Sequence, residues 1–170
     1  MPGPSTVATR RVTVERNRLR FAAAHMATFG GGCEPLHGHN YDVMVELEGE
    51  LTEDSWVWDF GRVKHAAREI TEALDHHFLL QEKSRHLTIE EGSNSWEISF
   101  GDRRYVFPKS DVCALPIENT TAECISEWFA GRLLEALRGQ GATHLTKLTV
   151  GIEEMPGQAG WYTLEMNRQA

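Results

Sequence analysis

Two stretches of the chain alternate between apolar and polar residues, and the apolar side of each carries histidine at one end. Residues 11–25 lead along one apolar side to His25, and residues 37–48 begin with His37 and His39 on the apolar side. Side chains two positions apart face the same side of a strand. Two strands are therefore predicted, each with an apolar stripe that ends in imidazole.

Residues 26–36, between these strands, are rich in glycine and long enough to join antiparallel neighbours. Such a hairpin brings His25, His37 and His39 to one end of the pair. Three neutral nitrogen ligands with one open position are typical of a catalytic zinc site, with nickel or copper as the minor alternative. The pattern therefore predicts Zn²⁺ bound by these three histidines.

The remaining periodicity predicts two amphipathic helices and further strands. The predicted elements are a short extended piece at 56–58, a helix over 60–74 with Asp59 as N-cap, an inserted β-hairpin at 87–107, a helix from Thr120 or Thr121 to Gly139, and strands at 145–154 and 159–166. The order β-β-α-α-β-β predicts an α+β fold in which an antiparallel sheet carries two helices on one face.

Composition narrows the class of protein. The length of 170 residues suits one domain, predicted over 11–170 after a flexible N-terminus at 1–10. A net charge of -8 argues against nucleic-acid binding, and no apolar run reaches the roughly 20 residues of a membrane helix. The first residues lack the apolar core of a signal peptide, and the three cysteines form no disulfide framework. A cytoplasmic protein is expected.

Two candidate bases lie side by side in the glycine-rich loop. Cys33 is interpreted as a base or nucleophile whose thiol titrates lower near Zn²⁺, or as a fourth ligand that makes the site structural. The second possibility corresponds to a noncatalytic zinc-binding oligomer. Glu34, three residues before His37, is a carboxylate close in sequence to the histidine pair.

Other polar groups lie at element ends. Asp75 and His76 follow the first helix, where a carboxylate can bias an imidazole as a proton shuttle, although a helix end also favours histidine and His77 is equally available. Glu154 ends a strand on the same side as its apolar residues and can accept two parallel donors from a heterocycle. Glu123 lies three residues after Thr120, and the two predict a capping box with Thr120 as N-cap.

Five segments, in the same order along the chain, resemble the 6-pyruvoyltetrahydropterin synthase and 6-carboxytetrahydropterin synthase family. They are Phe-Ala-Ala-Ala-His at 21–25, Cys-x-x-x-His-Gly-His-Asn-Tyr at 33–41, Leu-Asp-His at 74–76, Thr-Thr-Ala-Glu at 120–123, and Glu154. The resemblance implies the tunnelling fold (T-fold), with subunits that associate into barrels, commonly hexamers built as dimers of trimers. It also implies active sites at subunit interfaces.

The resemblance implies a zinc-dependent lyase whose substrate is 7,8-dihydroneopterin triphosphate. By position, it assigns His25, His37 and His39 as zinc ligands, Cys33 with Asp75 and His76 as catalytic residues, Glu154 as the pterin anchor, and Glu123 and Thr121 as further pocket residues.

The resemblance also separates three branches by the base and the product. The three-residue gap between Cys33 and His37 resembles the 6-carboxy-5,6,7,8-tetrahydropterin synthases of queuosine biosynthesis, which is the expected function. The 6-pyruvoyltetrahydropterin synthases, which eliminate triphosphate, have a longer gap. Glu34-x-x-His-Gly-His-Asn-Tyr resembles a branch that uses glutamate as its base and makes 6-hydroxymethyldihydropterin for folate.

Overall fold

The two strands that carry the histidines pair as predicted. In the computed structural model, β1 (Arg10–His25) and β4 (His37–Gly49) run antiparallel. His25 lies opposite His37, and Ala23 lies opposite His39. The register of this pair therefore brings all three imidazoles to one end of the hairpin.

The structure describes residues 9–166, so most of the N-terminal segment predicted at 1–10 lies outside the described residues. The loop between β1 and β4 contains a small hairpin whose two strands have two residues each. A 3₁₀ turn (Lys109–Asp111) precedes the ninth strand. The other elements are β2 (Thr28–Phe29), β3 (Gly32–Cys33), α1 (Phe60–Leu74), β5 (His77–Gln81), β6 (Thr88–Glu91), β7 (Ser95–Phe100), β8 (Arg103–Pro108), β9 (Val112–Leu115), α2 (Ala122–Gly139), β10 (Leu145–Met155) and β11 (Gln158–Glu165).

The main sheet is mixed, so the predicted antiparallel sheet with order β-β-α-α-β-β is wrong in this respect. Its six strands lie in the order β11-β10-β4-β1-β5-β9, with β5 parallel to β1 and β9 parallel to β5. Strand β5 was not predicted from the sequence because it is covered on both faces. Leu79 packs into the main core, whereas Phe78 and Leu80 join a second hydrophobic cluster. A strand covered in this way shows no alternation.

The predicted hairpin at 87–107 is instead a three-stranded antiparallel sheet, β6-β7-β8, which we call the inserted sheet. Its buried residue Ile98 packs with Met26, Phe78 and Leu80 to form the second hydrophobic cluster. Cys33 lies at the margin of this cluster. The insertion is therefore seated directly beside the glycine-rich loop.

Both helices pack on one face of the main sheet, as predicted. Their buried residues, including Val63 and Phe129, share a single core with Val45 of β4 and Val150 of β10. Burial of such side chains contributes about 1.5–3 kcal/mol each relative to exposure. No helix within residues 9–166 is long and apolar enough to cross a membrane.

Helix α1 begins where the sequence indicated. The Asp59 carboxylate accepts a hydrogen bond from the backbone N–H of Arg62 at 2.8 Å, which satisfies a free donor of the first turn. The extended piece predicted at 56–58 is not a strand. Trp58 is buried against the main core there.

Candidate active site

Three histidine side chains converge at the end of the β1–β4 pair. One ring nitrogen from each of His25, His37 and His39 lies within 4.8 Å of the others. The Nε2 atoms of His25 and His37 are 3.1 Å apart. Among the described residues, these three side chains form the only group of this kind, and Cys33 is not part of it.

Backbone carbonyls orient two of these rings. The Nδ1 atom of His25 lies 2.8 Å from the Thr120 carbonyl oxygen, and Nδ1 of His37 lies 2.8 Å from that of Pro35. A carbonyl only accepts, so each Nδ1 carries the proton and each Nε2 keeps a free lone pair. The pKa of His25 is lowered to about 4, mainly by burial; the other two imidazoles act in the same direction, and the Thr120 hydrogen bond opposes them. Neutral nitrogens held in this way suit a divalent metal with an open fourth position.

Asn119 links Thr120, whose carbonyl contacts His25, to Thr28 in the glycine-rich loop. Its Oδ1 accepts hydrogen bonds from the backbone N–H groups of Thr28 (2.9 Å) and Thr120 (3.0 Å), and from Nε2 of Gln81 at 3.3 Å. Its Nδ2 donates to the Thr28 carbonyl at 2.8 Å, while Oγ1 of Thr120 donates to Gln81 at 2.7 Å. This network was not predicted from the sequence. Its one signal in the sequence is Gln81, a polar residue that ends the apolar run Phe78-Leu79-Leu80.

The side chains of Cys33 and Glu34 diverge. The carboxylate of Glu34 reaches to 3.8 Å from Nε2 of His37, and Glu34 lines a cavity of about 340 Å³ beside His25. The thiol of Cys33 donates to the Glu34 carbonyl at 3.4 Å and packs at the edge of the second hydrophobic cluster. Burial raises the pKa of this thiol, and the nearby Arg103 offsets part of that rise. Of the two predicted bases, only Glu34 borders the cavity.

Glu154 lies at the far side of the same cavity. Its Oε1 atom is buried and has no hydrogen-bond partner within residues 9–166. Burial raises its pKa, against the lowering effect of His39 and His37. An acceptor without a donor costs free energy, and this carboxylate can accept hydrogen bonds from a ligand that supplies N–H groups.

The start of α2 completes the cavity with Thr121 and Glu123. Thr121 is the N-cap and accepts from the Cys124 N–H at 3.4 Å, so the predicted capping box with Thr120 as N-cap is wrong. Thr120 bonds Gln81 instead. The helix approaches the sheet closely because β11 has Gly160 there: a Cβ atom would lie 2.5 Å from the Glu123 nitrogen.

The predicted pair Asp75 and His76 does not line this cavity; His76 borders a second cavity, which His39 also borders. The Asp75 carboxylate accepts from the Ala22 N–H at 2.7 Å and lies 2.8 Å from Nδ1 of His76, and the Ala22 hydrogen bond most strongly lowers its pKa. The His76 side chain is 83% exposed and borders a separate cavity of about 560 Å³. Nδ1 of His77 lies 2.7 Å from the backbone carbonyl of Asp75, and His77 borders the same cavity as His76. The two cavities share no lining residue.

Solved structures share this fold along nearly the whole chain. A crystal structure of 6-pyruvoyl tetrahydropterin synthase from Plasmodium vivax matches with a TM-score of 0.87 and 31% identity, over 94% of this chain and all of the other. Two further structures of the P. vivax protein replace a glutamate, described as its catalytic residue, with alanine or cysteine. The fold and the histidine site thus define a pterin synthase, a lyase.

Sequence comparison gives the family. A family model described as 6-pyruvoyl tetrahydropterin synthase matches residues 13–165, and this chain belongs to that family. A Methanocaldococcus jannaschii protein named "Putative 6-carboxy-5,6,7,8-tetrahydropterin synthase" is 34% identical over 145 residues, which cover 85% of this chain and 89% of the relative. A Pyrococcus abyssi protein with the same name is 33% identical over 137 residues, 81% of this chain and 80% of the relative. The family resemblance read from the sequence is therefore confirmed.

Proposed function

We propose that this protein is a zinc-dependent lyase that acts on 7,8-dihydroneopterin triphosphate, with Glu34 as its base. The observation that carries the proposal is the placement of Glu34 between the metal group and the pterin cavity, 3.8 Å from Nε2 of His37. The thiol of Cys33 is turned toward the inserted sheet. A base must reach the proton that it removes, so geometry favours the carboxylate.

Substrate recognition centres on Glu154. A pterin ring presents neighbouring N–H donors on its pyrimidine edge, and a buried carboxylate without a partner accepts such a pair well. Thr121 and Glu123 border the same cavity at the N-terminus of α2. The ring would therefore lie against Glu154, with its side chain directed toward His25 and Glu34.

Zn²⁺ held by His25, His37 and His39 would supply Lewis-acid polarisation of a side-chain hydroxyl of the substrate. The Glu34 carboxylate then takes a proton from that side chain. Proton transfer by a positioned group typically contributes about 10²–10⁴-fold to the rate. The carbonyls of Thr120 and Pro35 keep the imidazoles in the tautomer that leaves Nε2 for the metal.

The protein is proposed to act as a hexamer of the tunnelling type, as the family resemblance suggests. His76, which is paired with Asp75, borders a second cavity of the subunit and is largely exposed. In the assembly, this pair would reach the cavity of a neighbouring copy and pass the proton onward. Measurement of molecular mass in solution tests the oligomeric state.

A glutamate base favours the branch that cleaves the C1′–C2′ bond of the substrate. The C2′ hydroxyl loses its proton to Glu34, the C1′–C2′ bond breaks with its electron pair going to C1′, and C1′ takes up a proton from Glu34; the products are 6-hydroxymethyl-7,8-dihydropterin and a two-carbon aldehyde that keeps the triphosphate. The second candidate product is 6-carboxy-5,6,7,8-tetrahydropterin with acetaldehyde and triphosphate, which the names of the M. jannaschii and P. abyssi relatives favour. Cys33 would be the base in that case.

Incubation of the zinc-loaded protein with 7,8-dihydroneopterin triphosphate, with products resolved by mass spectrometry, tests the proposal. We expect the hydroxymethyl product, loss of about 10²-fold or more in kcat for Glu34→Gln with zinc retained, and near-normal turnover for Cys33→Ala. The reverse ranking of the two variants, with the carboxy product, would identify Cys33 as the base. No turnover at all by the zinc-loaded wild type would refute the lyase assignment on this substrate.

A further inference from the structure

One side chain of the inserted sheet hydrogen-bonds to the backbone of the glycine-rich loop. Arg103, the first residue of β8, donates from Nη2 to the Cys33 carbonyl at 2.6 Å and from Nη1 to the Glu34 carbonyl at 2.9 Å. The guanidinium lies 5.3 Å from the centre of the Phe100 ring. Arg103 thus joins the insertion to the two residues that are the candidate bases.

Two consecutive carbonyls bonded by one guanidinium constrain the backbone between them. In an extended chain, successive carbonyls point to opposite sides. The planar fork of Arg103 is therefore compatible only with a bend at Cys33 and Glu34. That bend accompanies the divergence of the two side chains, with Glu34 at the cavity and Cys33 at the second hydrophobic cluster.

Other contacts hold the hairpin itself, since Thr28 pairs with Cys33 and Phe29 pairs with Gly32. The Glu34 N–H donates to the Ala27 carbonyl at 2.9 Å, and the turn before β3 consists of Gly30 and Gly31, both at positive φ. Glycine imposes little restriction on the backbone, so the hairpin does not by itself define the direction of Glu34. The charged fork of a half-buried arginine supplies the missing constraint.

We infer that Arg103 is a positioning residue, through which the inserted sheet bends the Cys33–Glu34 backbone and directs the Glu34 carboxylate to the metal group. The inference rests on the proposed role of Glu34 as base. Arg103 does not line the cavity, and it acts only through its hydrogen bonds to the Cys33 and Glu34 carbonyls. The insertion would thereby have a function in the reaction.

Arg103→Gln tests the inference because it keeps a polar side chain but loses the two-pronged donor. Arg104→Gln is the matched control: Arg104 is the next residue on β8, is exposed, and pairs with Glu97 inside the inserted sheet. Arg103→Lys is the conservative variant, since an ammonium group can engage one carbonyl. Each is assayed for kcat and KM, bound zinc, and amide hydrogen exchange of the peptide over residues 28–36.

For Arg103→Gln, we expect kcat to fall about 10- to 100-fold with KM nearly unchanged and zinc retained, because the base is displaced while the pterin cavity is not. The Glu34 amide should exchange faster, whereas peptides of β4 should not change. Arg103→Lys should recover part of kcat, and Arg104→Gln should match the wild type.

Wild-type kcat and exchange in Arg103→Gln would overturn the inference. Faster exchange throughout the protein with loss of zinc would also overturn it, since Arg103 would then support the whole fold. An inactive wild type refutes the proposed function separately, and the exchange of residues 28–36 still reports whether Arg103 holds the loop.

Discussion

Replacement of Gly160 by alanine should displace the helix that shapes the cavity proposed to bind the pterin. The added Cβ would lie 2.5 Å from the Glu123 nitrogen and 2.6 Å from the Ala122 carbonyl carbon, whereas ordinary contact begins at 3.4 Å. Both neighbours are backbone atoms, so the start of α2 must retreat by about 0.9 Å. Overpacking of this kind costs about 1–3 kcal/mol of folding free energy. A shift near 1 Å in a binding wall lowers catalytic efficiency by about 10- to 100-fold.

Thermal unfolding and steady-state kinetics measure both effects. For Gly160→Ala we expect Tm lower by roughly 4–8 °C and kcat/KM lower, with bound metal retained because β1 and β4 supply all three ligands. The control is Gly131→Ala in α2, where a Cβ meets nothing within 4 Å and alanine should stabilise by about 0.5–1 kcal/mol. Wild-type stability and kinetics in Gly160→Ala would refute the close helix–sheet contact as the element that shapes the cavity.

Three further predictions concern the polar groups of the site. The metal-free protein should lose about 2 kcal/mol of unfolding free energy between pH 7 and pH 5. The pKa of His25 is about 4 in the folded protein and 6.5 in the unfolded chain, so stability falls as the pH drops through that window. Urea unfolding at several pH values, compared with His25→Gln, checks this prediction. Glu154→Gln should raise Tm by a few degrees, since it removes a carboxylate whose charge burial disfavours, and should abolish pterin binding measured by calorimetry; unchanged pterin binding would contradict the anchor role. Asn119→Ala should weaken zinc binding about 10- to 100-fold in competition with a chelator, through the lost orientation of His25; unchanged affinity would show that the network does not hold the ring.

The metal group was predictable because its information is local. Alternation defines which face His25, His37 and His39 share, and a short loop forces the two strands to pair. The helices were predictable for the same reason, since a 3.6-residue period is visible within fifteen residues, and Asp59 is a polar cap directly before it. Glu154 was found because it continues the apolar side of a strand.

The direction of the two candidate bases was not predictable, because distant residues determine it. Cys33 and Glu34 are adjacent in sequence, yet Arg103, about 70 positions away, bonds both carbonyls. Asn119 is 91 positions from Thr28 and reaches His25 through Thr120. No periodicity encodes such contacts.

The mixed main sheet and the inserted sheet also depend on contacts between distant segments, which local sequence patterns do not predict. Strand β5 is covered by the main core on one face and by the second hydrophobic cluster on the other, so its sequence carries no alternation. The sequence by itself thus determined the three-histidine group and the helices, through local periodicity and spacing, and its motifs indicated the family. Only the tertiary structure decided which side chain faces the cavity, because that depends on hydrogen bonds between segments far apart in the chain.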